Sequence, residues 1–156
     1  MMHTWFECKI RYEKTMENGM NKKVTEPYLV DALSFTEAEA RIIEEMTPFI
    51  SGEFTVSDIK RANYSELFFS EEEAADRWFK YKLTFITLDE KSGAEKKTST
   101  NVLVQASDLR DAVKKLDEGM KGSMADYIIS SMAETAIMDV YKYSAEPDVK
   151  PEFPEA

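Results

Sequence analysis

The chain repeats itself internally, and this repeat constrains its fold more than any other feature of the sequence. At an offset of 73 to 74 residues, the segment that begins at Trp5 aligns with the segment that begins at Trp78, and these are the only two tryptophans. The same register joins glycines, lysines and apolar residues further along. These pairs are Gly19 with Gly93, Lys22 with Lys96, Leu29 with Leu103, Ala38 with Ala112, Val56 with Ile129 and Leu67 with Val140. We therefore predict two tandem copies of one small unit.

Each copy begins with a pattern typical of a β-hairpin. Side chains of residues 5–12 alternate between two faces, as expected for a strand with one face toward a core. A turn follows at Gly19 and again at Gly93, where glycine adopts the positive φ that a tight hairpin requires. Return strands are predicted over residues 22–32 and 96–106. One face of the first strand has Phe6, Cys8, Ile10 and Tyr12, and the other has Trp5, Glu7, Lys9 and Arg11.

A helix is predicted after each hairpin, followed by a long strand-like segment. Ser34 or Thr36 can cap the first helix, and Ser107 or Asp108 the second. The closing segments, residues 53–69 and 126–143, are rich in β-branched and aromatic residues. Residues 130–138 are also compatible with a helix, and we favour a strand because the aligned residues of the first copy are β-prone.

The predicted fold class is α+β. Tandem duplicated β-β-α-β units pack with pseudo-twofold symmetry as a single compact domain, with antiparallel sheets and one helix per repeat. The first repeat spans 1–69, an exposed acidic linker 70–77, the second repeat 78–143, and a disordered acidic tail 144–156. The sequence leaves open whether the two sheets merge.

Residue counts exclude several classes of enzyme. Cys8 is the only cysteine and His3 the only histidine, so one chain cannot assemble a disulfide, a zinc cluster, a Cys-His dyad or a Ser-His-Asp triad. No glycine-rich phosphate loop is present, and no pair of acids has convincing spacing for a two-metal site. We predict no catalytic residue, no metal ligand and no cofactor, and therefore no enzymatic activity; an enzyme that relies on carboxylates alone is the weakest alternative.

The charge distribution bears on partners and location. The net charge is −10, yet the hairpin segments 5–28 and 77–106 are mildly basic, so the acidity lies mainly on the helices, linker and tail. No apolar run approaches the length of a membrane span, and the first residues do not form a signal peptide. We expect a cytoplasmic protein with no membrane partner, and leave its oligomeric state open.

The hairpins provide the candidate binding residues. Alternation places Trp5 beside Lys9 and Arg11 on the first strand of one hairpin, and Trp78 beside Lys80 and Lys82 on the other. An exposed aromatic ring with basic neighbours on a sheet is typical of proteins that bind single-stranded nucleic acid, because the ring stacks on a base and the cations contact phosphates. The alternative is that each tryptophan covers the edge of the core while its basic neighbours are solvated.

Several segments also resemble a known family. Residues 5–10 (WFECKI), 30–32 (VDA), 59–61 (IKR) and 85–93 (FITLDEKSG) are similar to an uncharacterised family of small proteins from gut Bacteroides and their phages and mobile elements. The resemblance extends through residue 143. It implies a domain of unknown function and brings no activity with it, although a phage or mobile-element setting favours a role in DNA metabolism.

The leading hypothesis is a non-enzymatic protein whose hairpin faces bind single-stranded nucleic acid, such as single-stranded DNA. The alternative is a protein-interaction or assembly module that uses exposed sheet edges or the same aromatic face to bind a protein, and its net acidity suits a basic partner. The acidic tail, with Asp148, Glu152, Phe153 and Glu155, is a further candidate contact for a protein partner.

Overall fold

The computed structural model describes residues 4–122 and 126–142, which form eight strands and two helices. The predicted α+β class is confirmed. The predicted acidic tail at 144–156 lies outside the described residues. In chain order the elements are β1 (Trp5–Thr15), β2 (Asn21–Asp31), α1 (Phe35–Met46), β3 (Phe54–Ala62), β4 (Glu66–Phe68), β5 (Arg77–Leu88), β6 (Glu95–Ala106), α2 (Leu109–Gly119), β7 (Tyr127–Glu134) and β8 (Val140–Tyr141).

The described residues divide into two compact units. Unit 1 contains residues 4–62 and 137–142, and unit 2 contains residues 63–122 and 126–136. Each unit has one helix and one four-stranded sheet, with strand order β3-β1-β2-β8 in unit 1 and β4-β6-β5-β7 in unit 2. The two sheets are therefore separate in hydrogen bonding, which answers the question that the sequence left open.

Both hairpins form where the turn glycines predict them. Gly19 has φ of 82° and Gly93 has φ of 71°, a conformation that glycine adopts without steric cost. In the first turn, the side-chain oxygen of Asn18 also accepts a 3.0 Å hydrogen bond from the Met20 amide. The return strands begin one residue earlier than predicted, at Asn21 and Glu95.

The helices begin at two of the four predicted caps. Ser34 Oγ accepts a hydrogen bond from the Glu37 amide, and Asp108 Oδ1 accepts one from the Asp111 amide. Glu37 and Asp111 in turn accept from the amides of Leu33 and Ser107, so each helix has a reciprocal cap. Each helix then packs its apolar stripe on one face of its sheet. The fully buried residues at the centre of these cores are Phe6, Cys8, Ile10, Val30 and Ile42 in unit 1, and Phe79, Tyr81, Leu83, Val104 and Leu116 in unit 2.

The prediction of wholly antiparallel sheets is wrong, because each sheet ends in one short parallel strand. Strand β8 runs parallel to β2, and β4 runs parallel to β6. The segments predicted as long strands, 53–69 and 126–143, are therefore each divided between two sheets. Residues 127–134 are a strand, as favoured over the helical alternative, and residues 135–139 are irregular. Strand propensity identified the β-prone residues but could not show that the chain leaves one sheet and joins another.

The predicted linker is fixed at several points. Residues 71–74 are exposed, as expected, and include a turn, but Ala75 is buried. The side chain of Gln105 accepts from the Ser70 amide at 2.9 Å and donates to the Ala75 carbonyl at 3.0 Å. This segment is therefore held against β6 of unit 2.

Candidate binding surface

Both tryptophans of the predicted surface are buried. Trp5 is 5% exposed and Trp78 is 2% exposed, and the ring of Phe69 packs edge-on against Trp78 at 5.5 Å between centroids. The prediction that the indoles face solvent is therefore wrong. Alternation correctly predicted that each indole lies on the sheet face opposite to the helix. It could not show that this second face is also buried near the tryptophan. Leu29 and Leu103, which share that second face, are also fully buried.

The basic residues of the predicted surface remain accessible to different degrees. Arg11, Lys80 and Lys82 are exposed, and Lys9 is half-buried. Each follows its tryptophan along the same face of β1 or β5, as predicted. The structure thus brings together cations on each strand, but the buried tryptophan beside them offers no exposed ring on which a base could stack.

Two surface depressions were not predicted. A groove of about 820 Å³ in unit 1 lies near the β1–β2 turn, where two cations, Arg11 and Lys23, and two acids, Glu13 and Glu53, share its lining. This mixture selects no particular ligand charge. A second groove in unit 2, of about 710 Å³, lies between the segment after β4 and α2.

The second groove is organised by Lys115. Its ammonium contacts Ser70 Oγ at 2.8 Å, Glu72 Oε1 at 3.0 Å and Asp111 Oδ2 at 3.0 Å. Burial alone lowers the pKa of Lys115, but its hydrogen bonds to Glu72 and Asp111 outweigh that effect and raise it. A lysine that keeps its proton is neither a nucleophile nor a base. Lys115 therefore serves as a structural brace between α2 and the segment that follows β4.

In contrast to the charged Lys115, the Cys8 thiol and the Tyr81 phenol of the two cores keep their protons and are neutral. Burial raises the pKa of the Cys8 thiol to about 12, with contributions from Glu7 and Asp58. Burial and the charge of Asp117 raise the pKa of Tyr81 to about 12, and its hydroxyl lacks a hydrogen-bond partner among the described residues. Across residues 4–122 and 126–142, no three His, Cys, Asp or Glu residues lie close enough to hold a metal ion. No helix within those ranges is long and apolar enough to cross a membrane.

The outermost strand of unit 2 is the surface that sequence reasoning missed. Seven of the eight residues of β7 are exposed, and three of these are large apolar residues. They are Ile128 (54% exposed), Ile129 (40%) and Met132 (37%). Strand β7 pairs with β5 on one side and has no strand on its other side among the described residues. An open edge with exposed apolar side chains is an available template for another strand.

Strand β3 occupies the corresponding edge of unit 1 and is charged. Its exposed residues Asp58 and Lys60 lie opposite Lys9 and Glu7 of β1, so each cross-strand pair has opposite charges. On β7, Ser131 and Ala133 lie opposite Lys82 and Lys80 of β5. The offset of 73 residues aligns Lys60 with Ala133 and Asp58 with Ser131. The sequence therefore did show that the second copy lacks the charges that the first copy has on this edge strand.

Comparison with known proteins places the chain in a family. Residues 4–143 match the family described as Domain of unknown function (DUF4494). The chain belongs to this family. No curated protein matches the sequence. Membership covers every described residue and assigns no activity to any of them.

Proposed function

We propose that the protein is a non-enzymatic interaction module that binds an extended segment of another protein along β7. The observation behind this proposal is the exposed, nearly uncharged edge of that strand. A strand at the edge of a sheet has unpaired amide and carbonyl groups, and an added strand satisfies them while side-chain contacts provide selectivity.

The contrast between the two edges supports the proposal. Proteins discourage unwanted strand pairing by placing charged residues on edge strands. Strand β3 has Asp58, Lys60 and Arg61 at exposed positions, whereas residues 127–133 of β7 contain no charged residue. The other two edge strands, β4 and β8, have only three and two residues, so β7 is the long, nearly uncharged edge among the described residues.

Peptide selection tests the proposal. The full chain is used to select from a displayed library of extended peptides, and the selected peptides are then measured against two variants. Ser131→Asp with Ala133→Glu adds acids to β7 opposite Lys82 and Lys80, so the pairing with β5 is favoured while the edge becomes charged. Thr55→Glu with Ser57→Asp adds the same charges to β3 as the matched control. We expect binding to be lost only in the β7 variant, and peptides that bind both variants equally would place the interaction elsewhere.

Single-stranded nucleic acid is the second candidate partner, supported by the exposed Arg11, Lys80 and Lys82. The phage and mobile-element setting implied by the resemblance to gut Bacteroides proteins suits such a role. With both indoles buried, binding would depend on phosphate contacts alone and would weaken steeply as salt rises. Anisotropy of a labelled oligonucleotide at two salt concentrations tests it, with Lys80→Gln and Lys82→Gln as the variant. If adding the protein at low salt leaves the anisotropy of the oligonucleotide unchanged, binding of single-stranded nucleic acid is ruled out.

We also infer that the two units descend from one duplicated β-β-α-β unit. In both, the strand register shifts at an equivalent place, between Lys9 and Ile10 and between Lys82 and Leu83. Arg41 contacts Lys142 shortly after β8, the parallel strand of unit 1. Lys115, 74 residues after Arg41, contacts Ser70 shortly after β4, the parallel strand of unit 2. These equivalences support the duplication, and pseudo-twofold packing of the units stays a prediction.

A further inference from the structure

We propose that the segment bound by β7 is acidic, with two carboxylates on alternate residues that contact Lys80 and Lys82. This inference rests on the proposed function, since it specifies the chemistry of the partner that adds to the same edge.

Two cations, Lys80 and Lys82, lie on β5 opposite small residues of the edge strand β7. Both are exposed on β5, and neither has an ion-pair partner among the described residues. The corresponding strand of unit 1 provides a comparison, because Glu7 and Lys9 of β1 each lie opposite a residue of opposite charge on β3. Unit 2 therefore has two cations at positions where unit 1 has complementary cross-strand pairs.

The side chains of Lys80 and Lys82 are long enough to contact a strand added beside β7. An added strand would lie beside β7, about 10 Å from β5, because neighbouring strands are about 4.8 Å apart. The residues between are small: Ala133 lies opposite Lys80 and Ser131 lies opposite Lys82. Long lysine side chains can therefore extend across β7 toward the carboxylates of an added strand. Their spacing of two residues, about 7 Å along the strand, matches side chains at alternate positions of that strand.

An apolar contact for the added strand is available next to the two lysines. Beyond the Ser130 bulge, Ile128 lies on the same face as the two lysines and is the most exposed large apolar residue of β7. An added strand would thus meet cations at one end of this face and an apolar side chain at the other. The favoured partner is an extended segment with acids at alternate positions and an apolar residue to one side of them on the same face. A basic segment is disfavoured by repulsion from Lys80 and Lys82.

The test is an NMR titration of the labelled full chain with three capped peptides of sequence VEVEV, VQVQV and VKVKV. We expect VEVEV to shift the β7 amides and to bind about tenfold more tightly than VQVQV, because charged contacts are stronger than neutral ones. Salt should reduce that difference. Lys80→Glu with Lys82→Glu should reverse the preference so that VKVKV binds best, and Lys80→Gln with Lys82→Gln should abolish it.

The outcomes separate this inference from the proposed function. Equal shifts of β7 by all three peptides would overturn the acidic partner while leaving strand addition intact. Absence of any β7 shift at millimolar peptide would overturn both. Shifts of β7 that depend on protein concentration alone would instead identify a second copy of the chain as the occupant and overturn the acidic partner.

Discussion

Single residues show how burial and hydrogen bonding set the chemistry that this chain can perform. Cys8 occupies the inner face of β1, as strand alternation predicts, and is fully buried. Its elevated pKa keeps the thiol protonated at neutral pH, and a thiol is far less nucleophilic than a thiolate. A lone cysteine of this kind contributes to packing.

Labelling of Cys8 tests this conclusion. We expect a thiol reagent at pH 8 to react slowly with the native protein and rapidly after denaturation, because both access and thiolate formation are restored in the unfolded chain. The rate should keep rising with pH up to about 12, instead of levelling off near the pKa of an ordinary thiol, unless the protein first unfolds in alkali. Rapid labelling of the native protein at pH 8 would show that the thiol is accessible.

Lys115 provides a second prediction at this scale. Lys115→Ala removes three polar contacts and should lower the free energy of unfolding by about 1.5–3 kcal/mol, the range for hydrogen bonds to charged groups. Lys114→Ala, at the exposed neighbouring position, is the matched control and should change stability by less than about 0.5 kcal/mol. Chemical denaturation measures both. Equal effects would contradict the role of Lys115 as a brace.

The pH dependence of this brace follows from Asp111. The Ser107 amide and Lys115 lower the pKa of Asp111 in the folded state, so its contribution to stability is complete above its unfolded pKa. That contribution is lost as pH falls through the lower folded pKa. Asp111→Asn should therefore destabilise the protein at neutral pH and reduce the acid sensitivity of stability, as measured by denaturation at a series of acidic pH values.

At the scale of elements, the short parallel strand β4 packs closely against the end of α2. Strand β4 has only three residues, and Phe68 at its end lies against the last residue of α2, Gly119. A Cβ atom built on Gly119 would lie 2.7 Å from Phe68 Cε1, closer than real contacts allow. Gly119 does not adopt a positive φ, so the close approach of Phe68, and not backbone conformation, disfavours a larger residue at this position.

Gly119→Ala tests that contact. The added methyl group should displace Phe68 and lower the free energy of unfolding by about 1–3 kcal/mol, as overpacking usually does. Gly52→Ala is the control, because a Cβ there meets no atom within 4 Å. Thermal or denaturant unfolding measures the difference. A stabilising effect of Gly119→Ala would show that Phe68 moves aside at little cost.

At the scale of the whole molecule, the end of the described chain completes the sheet that the beginning of the chain forms. Residues 137–142 belong to unit 1, where the amide of Leu29 donates to the Asp139 carbonyl and Arg41 donates to the Lys142 carbonyl at 2.6 Å. All of unit 2 lies between these two parts in sequence. Unit 1 therefore requires both ends of the described chain to come together.

Ile137 tests this dependence. It is 6% exposed, so Ile137→Ala should lower the free energy of unfolding by about 2–4 kcal/mol through lost burial and a new cavity. The loss should increase hydrogen exchange in β2, the partner of β8. Met138→Ala, at an exposed neighbour, should have little effect. Unchanged exchange in β2 after Ile137→Ala would argue that β8 does not support the sheet of unit 1.

Local patterns in the sequence determined the hairpins, their turns and both helices, and reduced the cap of each helix to two candidates. Alternation, turn glycines and capping side chains act within a few residues, so they are legible without tertiary information. The same patterns placed the cations of β1 and β5 on the correct face. The internal repeat also aligns Lys60 with Ala133, and this alignment indicates that the edge strand of the second copy lacks a charge that the first copy has.

Only the tertiary structure decided which faces are covered and which sheet each short strand joins. Trp5 and Trp78 alternate as predicted, yet they are buried because the second face of each sheet is covered at that end. Strands β4 and β8 have two or three residues, too few for a pattern to specify a partner. Burial and strand partnership depend on residues far apart in sequence, and for that reason a chain's local periodicity does not determine them.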